Sequence, residues 1–262
     1  GSHIYVNEVG GTAAIGGLHP RPLPDSDGCL KPNDVEAAVR TENIHYPSTG
    51  LICLENTHNV AGGTVTPLAG MEAVVSVARS HGLKMHLDGA RLFNASAFLG
   101  APASKLAAPF DSVYICLSKG LAAPVGSLTV GSAEFVAAAR KYRKMLGGGM
   151  RQAGVIAAAG IVALTQMVQR LPEDHRTARR IAEALHELPG ISLDLAKVQT
   201  NIVRFGIVRP GLTAAMVSQQ LRELGVLINP TGPQSMRLVT HYQVGATQVE
   251  AIVAAFRRVL AG

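Results

Sequence analysis

Two residues suited to chemistry stand about thirty positions apart, each ending a run that reads as a buried strand. Lys119 lies near the end of Tyr114-Ile115-Cys116-Leu117-Ser118-Lys119-Gly120, where apolar and β-branched residues give way to a serine, a lysine and a glycine. Asp88 ends Leu83-Lys84-Met85-His86-Leu87-Asp88 and is followed by Gly89-Ala90-Arg91. Short apolar runs bounded by turn residues fit parallel strands buried on both faces. In open α/β sheets, ligands bind at the carboxyl ends of such strands. A lysine in a partly dry pocket becomes nucleophilic. Offered on one rim, a lysine and an aspartate fit the Schiff-base lysine and the ring-nitrogen partner of pyridoxal phosphate. Each has a plainer reading alone, a solvated lysine and an Asp88–Arg91 salt bridge. Together they favour the cofactor.

Three further residues belong to the same argument. His58 stands in Glu55-Asn56-Thr57-His58-Asn59, just past a third strand-like run, Leu51 to Leu54. A loop histidine is ordinarily solvated, but this one falls on the rim of Asp88 and Lys119. Arg151 follows Gly147-Gly148-Gly149 and is read as opening a helix. A guanidinium near backbone N–H groups is a natural phosphate clamp. Arg237 interrupts the apolar run Met236 to Val239, where a charge needs a partner. That partner is either a core carboxylate or the carboxylate of an amino-acid substrate, held bidentate.

The elements that must position these residues alternate strand and helix. Ile4 to Val6 reads as the tail of a strand, and Lys31 to Val39 as a short helix with Asn33 a candidate cap. A helix follows Thr66-Pro67, with Met71, Val74, Val75 and Ala78 on its apolar face and Gly82 at its end. Val125 to Val130 reads as a strand and Ala133 to Lys144 as a helix capped by Ser132. Ala153 to Leu164 is apolar but, at that length, too short to span a bilayer. A break at Leu171-Pro172 sets off an α+β region. It holds helices over Asp174 to Leu188 and Thr213 to Leu224, strands at Thr200 to Phe205 and Met236 to Val239, and a last helix with a Thr247/Glu250 capping box. This rhythm predicts a doubly wound or related α/β fold, with a large domain over 1–171 and a smaller one over 172–262.

Composition excludes other classes. With 4% aromatic residues, no Trp and no basic tail despite a net charge of +6, the chain lacks the stacking platforms of a nucleic-acid binder. Cys29, Cys53 and Cys116 have no metal-type spacing and suit a reducing, cytoplasmic compartment. The expectation is an enzyme without a metal, a nucleic-acid partner or a membrane span.

The runs Leu54 to Asn59, His86 to Arg91, Leu117 to Leu121 with Pro124-Val125-Gly126, Gly147 to Gln152, and Arg237 to His241 resemble the low-specificity L-threonine aldolases. Those are pyridoxal-phosphate enzymes of the aspartate-aminotransferase-like fold (fold type I), with a mainly parallel sheet in the large domain. The resemblance implies aldol cleavage of L-threonine or L-allo-threonine to glycine and acetaldehyde, a step of amino acid metabolism. It implies that Lys119 forms the internal aldimine, Asp88 pairs with the pyridine nitrogen, Arg91 contacts the phenolic oxygen, and Ser118 also contacts the cofactor. Arg237 holds the substrate carboxylate, Lys144 lies nearby, and Arg151 reaches the phosphate in a neighbouring subunit of a homodimer or homotetramer. His58 and His3 match two active-site histidines, His3 stacking on the cofactor ring; either is a candidate base. His3 is that residue or part of a tag remnant, and its place before Ile4-Tyr5 favours the former. Family members begin with a further segment bearing a phosphate loop, which does not precede Gly1 in this sequence, so the large domain is expected to be incomplete at its N-terminus. The alternatives are another fold-type-I enzyme, a β-eliminating lyase or an aminotransferase, and an inactive scaffold.

Overall fold

The structure, a computed structural model, describes residues 1–25 and 27–261. They divide into two compact units: Gly1–Val60 with Val65–Val168, and Ala61–Thr64 with Gln169–Gly262. A four-residue piece of the early chain thus belongs with the second unit.

The first unit begins with the short helices α1 (His3–Val6) and α2 (Gly11–Ala14), joined by a 3-10 turn, and with α3 (Pro32–Ala38). The strand expected over Ile4 to Val6 is instead the turn α1. Its β-branched residues have no ladder to join, and the N–H groups of Tyr5 and Val6 bond back to the Ser2 carbonyl at 3.0 and 3.1 Å. In α3, Lys31 rather than Asn33 is the cap residue, because Pro32 occupies the first turn.

Then β1 (Leu51–Glu55), α4 (Leu68–Ser80), β2 (Lys84–Asp88), α5 (Leu92–Leu99), α6 (Ala103–Ala107), β3 (Ser112–Cys116) and β4 (Ser127–Gly131) follow. The sheet order is β1-β2-β3-β4, the first three parallel and β4 antiparallel at the edge. Met85, Leu87 and Leu54 from the strands pack with Met71, Val74 and Ala78 of α4 and with Leu92 and Leu106. Each fully buried Leu or Met of this kind stabilises by about 1.5–3 kcal/mol relative to exposure. Gly82, at φ +66°, turns the chain out of α4 and into β2.

Strand β3 stops three residues short of Lys119. Its continuation closes on itself: Leu117 N–H bonds to Gly126 O, Ala123 N–H to Leu117 O, and Ala122 N–H to Lys119 O. Leu117, Leu121 and Ala123 are buried, so a half-exposed lysine sits on a loop pinned by apolar anchors.

After α7 (Ala133–Met145), whose cap Ser132 accepts from Phe135 N–H at 3.2 Å, comes α8 (Gly154–Val162). Helical residues then run on through a π turn at Ala163–Met167 and a 3-10 turn at Val168–Arg170 into α9 (Leu171–His186). The helical path is unbroken at Leu171-Pro172, while the boundary between the compact units falls close by, between Val168 and Gln169. Pro172 lies in the first turn of α9, where a missing N–H costs nothing. The helix from Gly154 to His186 is therefore, against expectation, long and apolar enough to cross a membrane by length and composition alone.

The second unit adds β5 (Ile191–Ser192), β6 (Ile202–Ile207), α10 (Ala214–Glu223), β7 (Asn229–Pro230), β8 (Ser235–Val239) and α11 (Val249–Ala261). The antiparallel sheet runs β5-β6-β8-β7. Val203, Phe205, Ile207, Met236 and Leu238 face a layer formed by α9, α10 and α11, with Phe205 edge-on to Phe256 at 5.6 Å. Strand alternation turns Arg204 and Arg237 to the opposite face. The capping box is not the Thr247/Glu250 pair: the Gln248 carboxamide oxygen accepts from Gly245 N–H at 2.9 Å, starting a 3-10 turn ahead of α11.

Candidate active site

The ends of β1 and β2 bring two carboxylates together. Glu55 and Asp88 are register partners, and each is only 6% exposed. Their strands are locked in phase just beyond them, where Asn56 N–H bonds to Asp88 O and Gly89 N–H to Tyr114 O. A Cβ at Gly89 would lie 2.7 Å from the Tyr114 carbonyl, so only glycine permits this approach.

Asp88 accepts from Ala90 N–H at 3.1 Å. Burial, and after it the neighbouring Glu55, pushes its carboxyl up, while Ala90 N–H, Lys119 and His3 pull it down. The charges of Lys119 and His3 thus act on Asp88, and three of the expected site residues are gathered here. Burial and then Asp88 raise the Cys53 thiol of β1 to about 11, keeping it protonated and out of nucleophilic chemistry.

Glu55 organises the approach. Its Oε2 accepts from His3 N–H at 2.6 Å and its Oε1 from Asn59 N–H at 2.7 Å. One buried carboxylate therefore fixes both the start of α1 and the loop that carries His58. The His58 ring is buried, and its Nε2 lies 2.9 Å from Asp25 Oδ2. The Asp25 carboxyl, which burial would raise, is held below its usual value by the Gly1 amino group and by His58. Sequence reasoning assigned no role to Glu55 or Asp25. A glutamate ending a buried strand was the available signal for the first. Asp25, 33 residues from its partner in a proline-rich turn, offered none.

Arg91 is the half-buried cap residue of α5, three positions past Asp88. Ser118 is exposed, its Oγ 3.4 Å from Cys116 Sγ. His3 Nδ1 pairs with Glu8 at 2.7 Å. Lys144 and Arg151 are both exposed. Arg151 also does not open its helix: Gln152 takes φ +50°, a left-handed kink that delays α8 to Gly154. A Cβ at Gly149 would come within 2.5 Å of the Lys144 stem, so the triple-glycine turn folds tightly against that side chain. Arg237, half-buried in β8, belongs to the second unit.

This donor set fits pyridoxal phosphate. A buried carboxylate reluctant to stay ionised suits a cationic ring nitrogen. A primary amine whose charge acts on it is pinned by buried neighbours. The Thr57 hydroxyl, beside His58, is buried without a hydrogen-bond partner among the described residues.

The sequence matches the beta-eliminating lyase family over residues 1–207, and the chain belongs to that family. Among its relatives, the probable low-specificity L-threonine aldolase 2 of Arabidopsis thaliana is 44% identical across 98% of this chain and 74% of its own length. The low specificity L-threonine aldolase of Escherichia coli K12 is 40% identical across 99% and 75%. In structure the chain superposes on a Leishmania major threonine aldolase with a TM-score of 0.81, at 21% identity over 99% of this chain and 75% of that one. A putative L-allo-threonine aldolase from Listeria monocytogenes gives 0.79 at 20% identity, over 99% and 73%. These likenesses show the fold, that of type I pyridoxal-phosphate enzymes.

Proposed function

We propose that this chain is a pyridoxal-phosphate-dependent threonine aldolase, splitting L-threonine or L-allo-threonine into glycine and acetaldehyde. The observation that carries the reading is the buried Asp88, in register with Glu55 and under the charges of Lys119 and His3. Lys119 would bind the cofactor's carbonyl carbon, Asp88 its ring nitrogen, Arg91 its phenolic oxygen and His3 its ring face, with Ser118 beside Lys119. When bound, that group supplies an electron sink for the bond between Cα and Cβ. His58 takes the proton from the substrate β-hydroxyl, directly or through water. Asp25, 2.9 Å from the His58 Nε2, orients the imidazole. Arg237 holds the substrate carboxylate as a bidentate pair, with Lys144 nearby.

The cofactor-loaded protein is expected to convert L-threonine to equimolar glycine and acetaldehyde, read by a coupled alcohol dehydrogenase. The family is broader than aldol cleavage, so ammonia with 2-oxobutyrate is the competing outcome. Those products in place of glycine would make the chain a β-eliminating lyase.

The second part of the proposal is a homodimer or homotetramer in a reducing cytoplasm, in which Arg151 reaches the cofactor phosphate of a neighbouring subunit. Along α7 and α8, Tyr142, Met145, Val155 and Ile161 are between 61% and 81% exposed, and β4 is exposed along its length. Apolar surface of that extent fits an interface between protein copies. Light scattering at micromolar protein is expected to give a mass of at least two chains. A monomer that binds pyridoxal phosphate tightly would sink the shared site.

A further inference from the structure

Neither the sheet nor the core explains a glutamate at position 55. Ile52 and Leu54 take the core face of β1, so alternation puts Cys53 and Glu55 on the other face. There Glu55 is 6% exposed and stands in register with Asp88, a second buried carboxylate. Two carboxylates side by side in a dry site repel, and an apolar residue would be less costly to bury. The pairing of β1 with β2 does not need the side chain either, because Asn56 N–H to Asp88 O already closes the ladder at that end. What Glu55 does hold is backbone from two segments outside the ladder. A carboxylate is acceptor-only, so each oxygen can take an N–H donor. Oε2 takes that of His3, 52 positions earlier, at 2.6 Å, and Oε1 takes that of Asn59 at 2.7 Å. Both are short, as bonds to an ionised acceptor are. One segment presents His3, whose charge acts on Asp88; the other presents His58, next to Asn59, with its ring buried.

We propose that Glu55 is a positioning residue that holds His3 and His58 in fixed phase with Asp88, so that the cofactor ring and the proton acceptor meet in one geometry. The inference rests on the reading of Asp88 and His3 as cofactor contacts and of His58 as the base. Glu55 acts through their backbone, and its reach is what matters. A glutamine has one acceptor oxygen and sets an NH2 against the other N–H. An aspartate, one methylene shorter, does not span both donors. Misplacing a reacting group by about 1 Å costs on the order of 100-fold in rate.

The test compares Glu55→Gln, which keeps the size and loses the charge, with Glu55→Asp, which keeps the charge and loses the reach. Both are expected to lower kcat for L-threonine by about 10- to 100-fold with KM within about threefold, since neither variant alters Arg237. Both are expected to weaken pyridoxal phosphate binding about tenfold by equilibrium dialysis, because His3 loses its seat. Amide hydrogen exchange in the cofactor-free proteins reads the anchor itself. In the wild type, the His3 and Asn59 amides are expected to exchange at least about tenfold slower than in an open chain, and to lose that protection in both variants. The Asn56 and Gly89 amides, which belong to the ladder, are expected to keep their rates. A general loss of stability would quicken all four and overturn the proposal. A Glu55→Asp enzyme with wild-type kcat would assign the effect to charge rather than reach, and would overturn it too. So would wild-type His3 and Asn59 amides that exchange as in an open chain, a result that needs no variant to fold. If the wild type binds pyridoxal phosphate but does not cleave threonine, the aldolase reading fails separately. Cofactor affinity then decides for Glu55: tenfold weaker binding in both variants supports its role, and unchanged binding overturns it.

Discussion

Lys119→Ala is expected to reduce threonine cleavage by ~10⁴-fold or more, since losing a nucleophile that acts with its whole constellation removes most of what the set achieves. The structural cost should be small. Lys119 is half-exposed, and its loop is held by Leu117, Leu121 and Ala123 and by backbone bonds to Gly126 and Leu117, none of which needs the amine. Melting temperature is therefore expected to stay near wild type while activity collapses. A second measurement isolates the amine itself. Borohydride reduction of the loaded wild-type protein, followed by peptide mapping, is expected to leave the pyridoxyl label on Lys119. Lys84 and Lys144 are the controls. Lys84 bonds to Asp111 at 3.2 Å, and Lys144 lies against the triple-glycine turn. A label on either would refute the assignment of Lys119, and so would an alanine variant that turns over threonine normally.

The strand ends were legible in the sequence because burial on both faces leaves an uninterrupted apolar run, and its polar terminator marks the rim. That signal placed Asp88 at the end of β2 and His58 just past β1. It overran at Lys119: Leu117 is as apolar as the strand residues, yet it anchors a loop rather than extending the ladder. Backbone conformation was less visible. The left-handed Gln152 carries no sequence mark, so the sequence points to Arg151 as the first residue of a helix that begins at Gly154. In the sequence Pro172 suggests a break, because a proline usually ends a helical pattern. Here the preceding π and 3-10 turns place it where its missing N–H is harmless. The partners of the site residues lay beyond local pattern altogether. Glu55 reaches His3 across 52 positions and Asp25 reaches His58 across 33. Only the folded backbone brings such separations within a hydrogen bond.

Asp88→Asn is expected to separate catalysis from stability in opposite directions. The asparagine keeps the acceptor for Ala90 N–H but cannot supply the negative charge that holds a ring nitrogen protonated. Loss of an electrostatic group of this kind costs about 3–4 kcal/mol of barrier, roughly 10²- to 10³-fold in kcat. Stability should move the other way. Burial and Glu55 raise the Asp88 carboxyl above its usual 3.8, so the folded chain binds that proton more readily than the unfolded one. As pH rises from 3.8 through the raised value, the unfolded carboxyl ionises freely while the folded one ionises at a cost. The native side chain therefore weakens the cofactor-free fold at neutral and alkaline pH. The neutral amide lifts that penalty. Cofactor-free Asp88→Asn is expected to melt no lower than wild type at pH 8, and the advantage should shrink as the pH falls toward 3.8 and the native carboxyl is protonated in both states. Bound cofactor reverses the order, because its ring cation repays the charge of Asp88 alone. Thermal melts with and without pyridoxal phosphate at the two pH values read all of this directly. A variant that, loaded, matched wild-type turnover would remove Asp88 from the ring nitrogen, and a cofactor-free variant that melted well below wild type at pH 8 would make its burial a structural matter instead.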